Sequence, residues 1–301
     1  MLIKNDQDIS TTESNKIQPW LSLVAIQPHG SRPPLFCVHS VGISVLHYHK
    51  LALYLGSEQP FYALQPQGAD GIKTPFNQIE AMAYHYVKEI QTVQTKGPYF
   101  LGGSSFGGRV VWEMAQQLVM QGQEVAFLAL FDSAATDIRR TPLDKRISHH
   151  WDHFLQQGLS FIITKIYGKI QLFKMMLKTL FKTLLDKKLK QIIVKFYLLN
   201  KYPLPYSLRS LFVEESHREA GRTYVIQPYQ GKVTLFKASD RHLPEGCEID
   251  FDLGWSKLAL GGLDIQDIPG NHNSIFQEPH VQVLAEKMKT CMDNIAILND
   301  S

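Results

Sequence analysis

One serine of this chain stands in a setting that could make it a nucleophile. Residues 103–107 read Gly-Ser-Ser-Phe-Gly and fit the pattern G-x-S-x-G, with Ser105 at the centre. Apolar residues before this motif predict a strand, and apolar residues at helical spacing after it predict a helix. Such a turn exposes the serine Oγ. The flanking glycines allow the turn to be tight, because they lack the Cβ atoms that would collide across it. The helix N-terminus favours developing negative charge there, so we predict that Ser105 attacks an acyl carbon.

A histidine near the end of the sequence is the candidate base. His272 follows a predicted strand and the pair Pro269-Gly270, in a loop ahead of the last predicted helix. In proteins with this serine motif, the histidine follows the nucleophile in chain order. A neutral imidazole there would take the proton of Ser105 and return it to the leaving group. Because the chain has 12 histidines, the residue type alone does not identify the base, and we choose His272 by its position in the sequence.

Two aspartates compete for the role of the acid that orients this histidine. Asp132 ends the apolar strand after the elbow helix, and Asp240 follows the next strand. Because the carboxyl ends of parallel strands meet at one edge of a sheet, either carboxylate could reach the imidazole. Strand order does not choose between them. Asp264 and Asp267 lie in or beside a later strand and are weaker candidates.

Two backbone N–H groups are candidates for an oxyanion hole, which would stabilise the negative oxygen of a tetrahedral intermediate. One donor is expected from the residue after the nucleophile, which is Phe106. The other is expected from the loop after an early strand, here His39-Ser40-Val41-Gly42. We predict Val41 as that donor, with Gly42 allowing the chain to bend.

The elements that must position these residues alternate between strands and helices. Short apolar runs predict strands, and apolar residues at helical spacing predict the helices between them. The predicted strands cover 35–38, 61–64, 99–101, 125–131, 233–236 and 263–268, and the predicted helices cover 79–90, 110–119 and 281–297. This order predicts an α/β fold with a mostly parallel sheet and helices on both faces.

A long insertion separates two of these strands. The 100 residues between Asp132 and Val233 have a mainly helical pattern and are too many for a simple crossover. We therefore predict an inserted helical lid at about 136–220. Residues 1–18 are polar and are predicted to be a flexible leader, which leaves 19–301 as one domain.

Composition excludes several classes of protein. With 31 basic and 28 acidic residues, the total charge gives no reason to expect nucleic-acid binding. The cysteines are Cys37, Cys247 and Cys291, an odd and widely spaced set that argues against disulfides and a zinc site and favours a reduced, cytoplasmic setting. No apolar run suggests a signal peptide or a transmembrane helix, so membrane attachment is not expected.

The basic residues are concentrated in the predicted lid. Residues 141–200 hold 11 basic and three acidic side chains, a net charge of +8. Lys174, Lys178 and Lys182 are four residues apart and share one face of a helix. This face is a docking surface for an acidic partner, the solvated side of an amphipathic helix, or a surface for weak attachment to an anionic membrane.

Several motifs together resemble the thioesterase domains that end nonribosomal peptide and polyketide synthases. The motifs are VHSVG, YLGSEQPFYALQPQGADG, GGSSFGG, ALFDS, GKVTLFKASD and PGNHNSIFQEPH, and the resemblance covers roughly residues 20–296. It implies an α/β-hydrolase fold with a helical lid and a Ser-Asp-His triad. In that family the acid usually follows the strand after the elbow helix, so the resemblance favours Asp132 over Asp240. Carried over, the triad is Ser105, Asp132 and His272, and the oxyanion hole is Val41 and Phe106.

The resemblance implies an enzyme without a cofactor or metal. Its substrate would be an acyl or peptidyl chain on the phosphopantetheine arm of a carrier protein, released by hydrolysis or macrocyclisation. The sequence departs from the family in the first loop, where H-P-x-G-G is common and residues 39–43 read His-Ser-Val-Gly-Ile. It also has Ser104 before the nucleophile, where the family often has an aromatic residue or histidine, and Ser104 is the rival nucleophile.

Three other functions remain open at this point. The first is a stand-alone editing thioesterase that clears misacylated carriers, and the second is a general carboxylester hydrolase. The third is an acyl-binding protein that has the fold but no activity, which would require a broken triad.

Overall fold

A computed structural model describes residues 21–42, 44–135, 139–140, 189–190, 192–197, 199–200, 202–241 and 247–299. Its centre is a seven-stranded sheet with the order β1-β3-β2-β4-β5-β7-β9. The strands are β1 Leu23–Gln27, β2 Leu35–Val38, β3 Phe61–Leu64, β4 Tyr99–Ser104, β5 Val125–Phe131, β7 Val233–Ala238 and β9 Leu263–Ile268. All neighbours run parallel except β1, which pairs antiparallel with β3. The predicted mostly parallel sheet is confirmed.

Five helices surround the sheet in the described residues. They are α1 Tyr48–Leu55, α2 Ile79–Ile90, α3 Phe106–Met120, α4 Tyr206–Thr223 and α5 His280–Asn299. Helices α2 and α3 pack on one face, and α1 and α5 pack on the other. Each face therefore has its own hydrophobic core, as predicted from the order of elements.

The strand β2 shows why the sheet needs cover on both sides. All four of its residues are buried. Successive side chains of a strand point to opposite faces, so Phe36 and Val38 enter the core beneath α2 and α3. Leu35 and Cys37 enter the core beneath α1 and α5. This double burial is typical of parallel strands and explains their continuous apolar sequence.

Strand β1 and helix α1 were not predicted by the sequence analysis. Strand β1 lies at the antiparallel edge, where none of its residues is fully buried. Helix α1 buries Tyr48, Leu51, Ala52 and Leu55. These four follow the i, i+3, i+4, i+7 spacing of an amphipathic helix, so its signal was present in the sequence.

Strand β4 extends further than predicted. It includes Gly102 and Gly103 and ends at Ser104, which pairs with Phe131 of β5. A Cβ atom on Gly102 would lie 2.8 Å from the Sγ of Cys37 and 2.8 Å from the Phe131 ring. The predicted end of this strand at residue 101 was wrong, because Gly102 packs closely inside the strand.

Most of the predicted lid and the predicted leader 1–18 lie outside the described residues, as do Lys174, Lys178 and Lys182. Within the lid range, Arg139–Arg140 forms a short strand, β6, which pairs with Cys247–Glu248, the strand β8. Helix α4 begins inside the predicted lid and continues to Thr223, three residues beyond its predicted end. In the described part of the chain, no helix is long and apolar enough to cross a membrane.

Candidate active site

Ser105 occupies the sharp turn between β4 and α3. Its backbone has φ 53° and ψ −115°, in the left-handed half of backbone space that non-glycine residues rarely adopt. Its N–H donates to the carbonyl of Phe131, 3.0 Å away, which ties the turn to the end of β5. A strained residue held by its surroundings is typical of a functional position, and Ser105 lines a cavity of the protein.

Glycines allow the chain to pass through this turn. A Cβ atom on Gly103 would lie 2.2 Å from the carbonyl oxygen of Gly107, and one on Gly107 would lie 2.2 Å from that of His39. Both contacts are with backbone atoms, which cannot rotate away. The spacing G-x-S-x-G is therefore a steric requirement of this turn, as predicted. Ser104 is buried at the end of β4, and Ser105 is the residue at the apex.

Asp132 lies directly after β5, at the same edge of the sheet. It is also a non-glycine residue with positive φ, 44°. Its Oδ2 lies 2.7 Å from Nδ1 of His272, and its Oδ1 accepts a hydrogen bond of 2.9 Å from the N–H of Ala238. Arg241 forms an ion pair with the same Oδ1. The Asp132 side chain is almost completely buried, so each of its oxygens is committed to a partner.

These partners determine the charge of Asp132. Burial by itself raises the pKa of a carboxyl group. The hydrogen bonds from His272 and Ala238 and the positive charge of Arg241 outweigh burial, and the pKa of Asp132 is lowered. The carboxylate is therefore ionised at neutral pH, and the Nδ1–H of His272 is the donor in their hydrogen bond. This tautomer leaves Nε2 as the basic nitrogen of the ring.

His272 and Ser105 line one cavity of about 960 Å³. The His272 side chain is half exposed, whereas its partner Asp132 is almost completely buried. A second cavity, of about 380 Å³, is also lined by His272 and includes Ser104 and Ser40. The imidazole therefore lies where the two cavities meet, and the larger one holds the predicted nucleophile.

The three rival aspartates have other surroundings. Asp240 is exposed, and its backbone N–H donates to the carbonyl of Gly270. Asp264 accepts a hydrogen bond from Gln266, and Asp267 forms an ion pair with Lys237. Among the described residues, the carboxylate that contacts His272 is that of Asp132.

The predicted oxyanion-hole residues line the larger cavity together with Ser105. Val41 is 40% exposed and lies in the loop after β2, followed by Gly42 with φ 111°. Phe106 is the first residue of α3, and its N–H is among those that a helix leaves without an internal acceptor. Val41 and Phe106 therefore both lie at the cavity. Their roles as hydrogen-bond donors to an oxyanion stay a prediction.

Three stacked rings support this part of the site. His39 is fully buried, and its ring nitrogens bond to the Tyr86 hydroxyl at 2.8 Å and to the Ser40 carbonyl at 2.6 Å. The ring centroid of His217 in α4 lies 4.7 Å from that of His39 and 4.7 Å from that of Phe106, and the centroids of His39 and Phe106 are 6.2 Å apart. These rings thus connect α4 both to Phe106 and to the loop that contains Val41, which are the two predicted donors.

No group of three or more histidine, cysteine, aspartate or glutamate side chains in the described ranges is arranged to hold a metal ion. The three cysteines are all described and are free thiols. Burial raises the pKa of Cys37 well above its usual range, so it is a neutral core residue.

Residues 33–291 match the family model of the thioesterase domain. The chain belongs to the thioesterase domain family.

Related proteins are large synthetases, of which this thioesterase domain matches a small part. It is 42% identical over 123 residues to malpinin synthetase of Mortierella alpina, covering 41% of the chain and 2% of the relative. It is 42% identical over 111 residues to a dimodular nonribosomal peptide synthase of Bacillus subtilis, covering 37% and 5%. It is 26% identical over 285 residues to chondramide synthase of Chondromyces crocatus, covering 92% and 7%.

Solved structures show the same fold. A four-domain nonribosomal peptide synthetase superposes with a TM-score of 0.62 at 25% identity, covering 90% of this chain and 20% of the other. The NocB thioesterase domain superposes with a TM-score of 0.59 at 22% identity, covering 90% and 99%. The predicted α/β-hydrolase fold is confirmed, as is the resemblance to nonribosomal peptide synthetase thioesterase domains.

Two residues of the site were not predicted. Arg241 directly follows the rival acid Asp240, but no sequence pattern indicates that its guanidinium reaches back to Asp132. His217 is one histidine in a helix of mixed polarity, and nothing in its spacing distinguishes it from a surface residue.

Proposed function

We propose that this chain is a serine thioesterase that releases an acyl or peptidyl chain from the phosphopantetheine arm of a carrier protein. The observation that carries the proposal is the pairing of Asp132 with His272 beside Ser105, in a member of the thioesterase domain family. The relatives named above are synthetases, which supports a carrier-bound substrate.

The proposed first step transfers the acyl group to the enzyme. The Ser105 Oγ attacks the thioester carbonyl while its proton moves to Nε2 of His272. The negative oxygen of the tetrahedral intermediate accepts hydrogen bonds from the N–H groups of Val41 and Phe106. The C–S bond then breaks, and His272 returns the proton to the sulfur, which leaves as the thiol of the arm.

The second step releases the acyl group. Water, or a hydroxyl or amine of the chain itself, gives a proton to His272 and attacks the ester carbonyl. The same N–H groups hold the oxyanion, and collapse of the intermediate returns the proton to Ser105. The product is a free acid or a macrocycle, and the proposed reaction needs no cofactor or metal.

Ionised Asp132 has a defined part in both steps. Its hydrogen bond holds the imidazole in the tautomer that accepts at Nε2, and its charge stabilises the imidazolium that forms. Arg241 and the Ala238 N–H position the carboxylate by occupying its other oxygen.

The proposal is tested by loading a holo carrier protein with a labelled octanoyl group and measuring release by this chain. The same octanoyl group is also supplied as a simple ethyl ester. We expect release from the carrier and little cleavage of the ester. The Ser105→Ala variant should lose this activity, and Ser104→Ala should retain most of it. Rapid ester cleavage with an intact carrier thioester would instead indicate a general ester hydrolase.

A further inference from the structure

Helix α4 presents two arginines to the larger cavity. Arg218 and Arg222 are four residues apart, so they share one face of the helix, and both line the cavity together with Ser105. Arg218 makes one exposed contact of 3.4 Å with Glu214 in the preceding turn. Arg222 has no ion-pair partner among the described residues. Exposed contacts of the Arg218–Glu214 kind are weak, so both guanidinium groups can bind another anion.

The glutamates of α4, which are Glu214, Glu215 and Glu219, are not among the described lining residues of the cavity. Asp132 is already paired with Arg241 and His272. Asp240 is the other acidic side chain among the described lining residues, and it follows β7 on the side of the sheet edge that carries His272. The acidic side chains of the described lining are therefore not on α4.

A buried polar side chain lies on the same wall. His217 is fully buried and lines the cavity, and neither of its ring nitrogens has a hydrogen-bond partner among the described residues. Burial lowers the pKa of His217 well below its usual range, so the ring is neutral and offers one donor and one acceptor. A buried polar group without a partner is unfavourable, and a bound ligand would supply the missing hydrogen bond.

This stretch of α4 lies beside the predicted nucleophile. His217 packs against Phe106, the residue after Ser105. Gly221, which precedes Arg222, faces the same ring, because a Cβ atom there would lie 3.6 Å from it. The residues from His217 to Arg222 therefore border the part of the cavity that a chain attached to Ser105 would enter.

We propose that α4 forms an anion-binding subsite of the larger cavity, in which Arg218 and Arg222 bind an acidic group of the substrate. His217 hydrogen-bonds a polar group of the same substrate. The acidic group is a carboxylate on the acyl chain or the phosphate of the carrier arm, because both present oxygen pairs that guanidinium binds. This inference rests on the proposed function and adds the class of substrate that the site selects.

Two matched pairs of substrates show whether the bound anion belongs to the acyl chain or is the phosphate of the carrier arm. The first pair is the N-acetylcysteamine thioesters of suberic acid and of its terminal amide, which differ only in the charge of the acyl chain. The second pair is octanoyl-phosphopantetheine and octanoyl-pantetheine, which differ only in the phosphate. The measurement is the ratio of kcat/KM for the anionic and neutral members of each pair.

We expect the wild-type protein to favour the anionic member of one pair by about tenfold, the scale of a charge-assisted hydrogen bond. The Arg218→Gln/Arg222→Gln double variant should bring that ratio close to one, whereas the double lysine variant should keep most of it. Arg32→Gln, whose ion pair with Asp293 lies outside the cavity lining, is the control and should keep the wild-type ratio. Added salt should reduce the preference.

Equal rates within both pairs, or a preference that survives the double glutamine variant, would overturn the subsite. Failure to cleave any of the four thioesters would overturn the proposed function instead. Calorimetric binding of the corresponding non-cleavable thioethers then tests the subsite alone, since it requires no turnover.

Discussion

The Nδ1 atom of His272 lies 2.7 Å from Oδ2 of Asp132, although 140 residues separate them in the sequence. Asp132 is fixed by the end of β5, by the N–H of Ala238 and by Arg241. The half-exposed imidazole is therefore oriented by a carboxylate that has no freedom of its own.

This pairing predicts that Asp132→Asn removes most of the activity. An amide neither fixes the donor tautomer of His272 nor stabilises its protonated form, and such a change costs about four orders of magnitude in rate in a protease triad. The measurement is kcat/KM with an acyl N-acetylcysteamine thioester, with circular dichroism to check folding. Asp240→Asn is the matched control, because Asp240 is exposed, and it should lose far less. The opposite ranking of the two variants would place the acid on β7.

Two glycine substitutions near Ser105, one in the turn and one in helix α4, should have opposite effects on stability. Gly107→Ala would place a Cβ 2.2 Å from the backbone oxygen of His39, so the turn must shift. We expect a loss of about 1–3 kcal/mol in the free energy of unfolding, together with reduced activity. Gly221 lies within helix α4, and in Gly221→Ala the new Cβ would lie 3.6 Å from the Phe106 ring, an ordinary van der Waals contact. It should gain about 0.5–1 kcal/mol. Urea unfolding measures both values, and equal stability of the two variants would contradict the steric account of the elbow.

Three histidines predict a loss of stability in mild acid. Burial lowers the pKa of His39 and of His47 from 6.5 to about 4, and it lowers the pKa of His217 well below its usual range. Between pH 6.5 and 4 the unfolded chain binds protons that the folded protein does not, so stability falls as the pH falls. For His39 and His47 the effect levels off below pH 4 and amounts to about 3 kcal/mol each.

Urea unfolding at a series of pH values between 7 and 4 measures this slope. His39→Gln removes one of the three groups and should make the slope shallower, whatever its effect on absolute stability. An unchanged slope would mean that His39 does not resist protonation in the folded state.

Much of the site was predictable because its constraints are local. The motif around Ser105 reflects contacts of Gly103 and Gly107 within a few residues and with one neighbouring strand. The positions of Asp132 and His272 follow from the ends of parallel strands, which the apolar runs of β5 and β9 mark clearly.

The choice between Asp132 and Asp240 could not be made from strand order. Both follow strands that end at the same sheet edge, and β5 and β7 are neighbours in the sheet. The choice depends on the backbone of Asp132, where positive φ and the bond from Ala238 direct the carboxylate. Neither feature has a sequence signature.

The contacts of His217 and Arg241 could not be predicted from the sequence. Arg241 and Asp132 are separated by 109 residues of chain, and His217 reaches Phe106 only because α4 packs beside it. Such contacts depend on where elements pack, and periodicity within a helix does not report that. The edge strand β1 has a four-residue apolar run like that of β2, so its signal was present in the sequence.

The central claim is that Ser105 carries the acyl group between the two steps. Its most direct test is peptide mapping by mass spectrometry after rapid mixing with an octanoyl thioester and acid quenching. The account predicts an octanoyl adduct on Ser105 that forms and decays at the rate of turnover, and its absence in Ser105→Ala. An adduct on Ser104, or turnover that persists in Ser105→Ala, would contradict it.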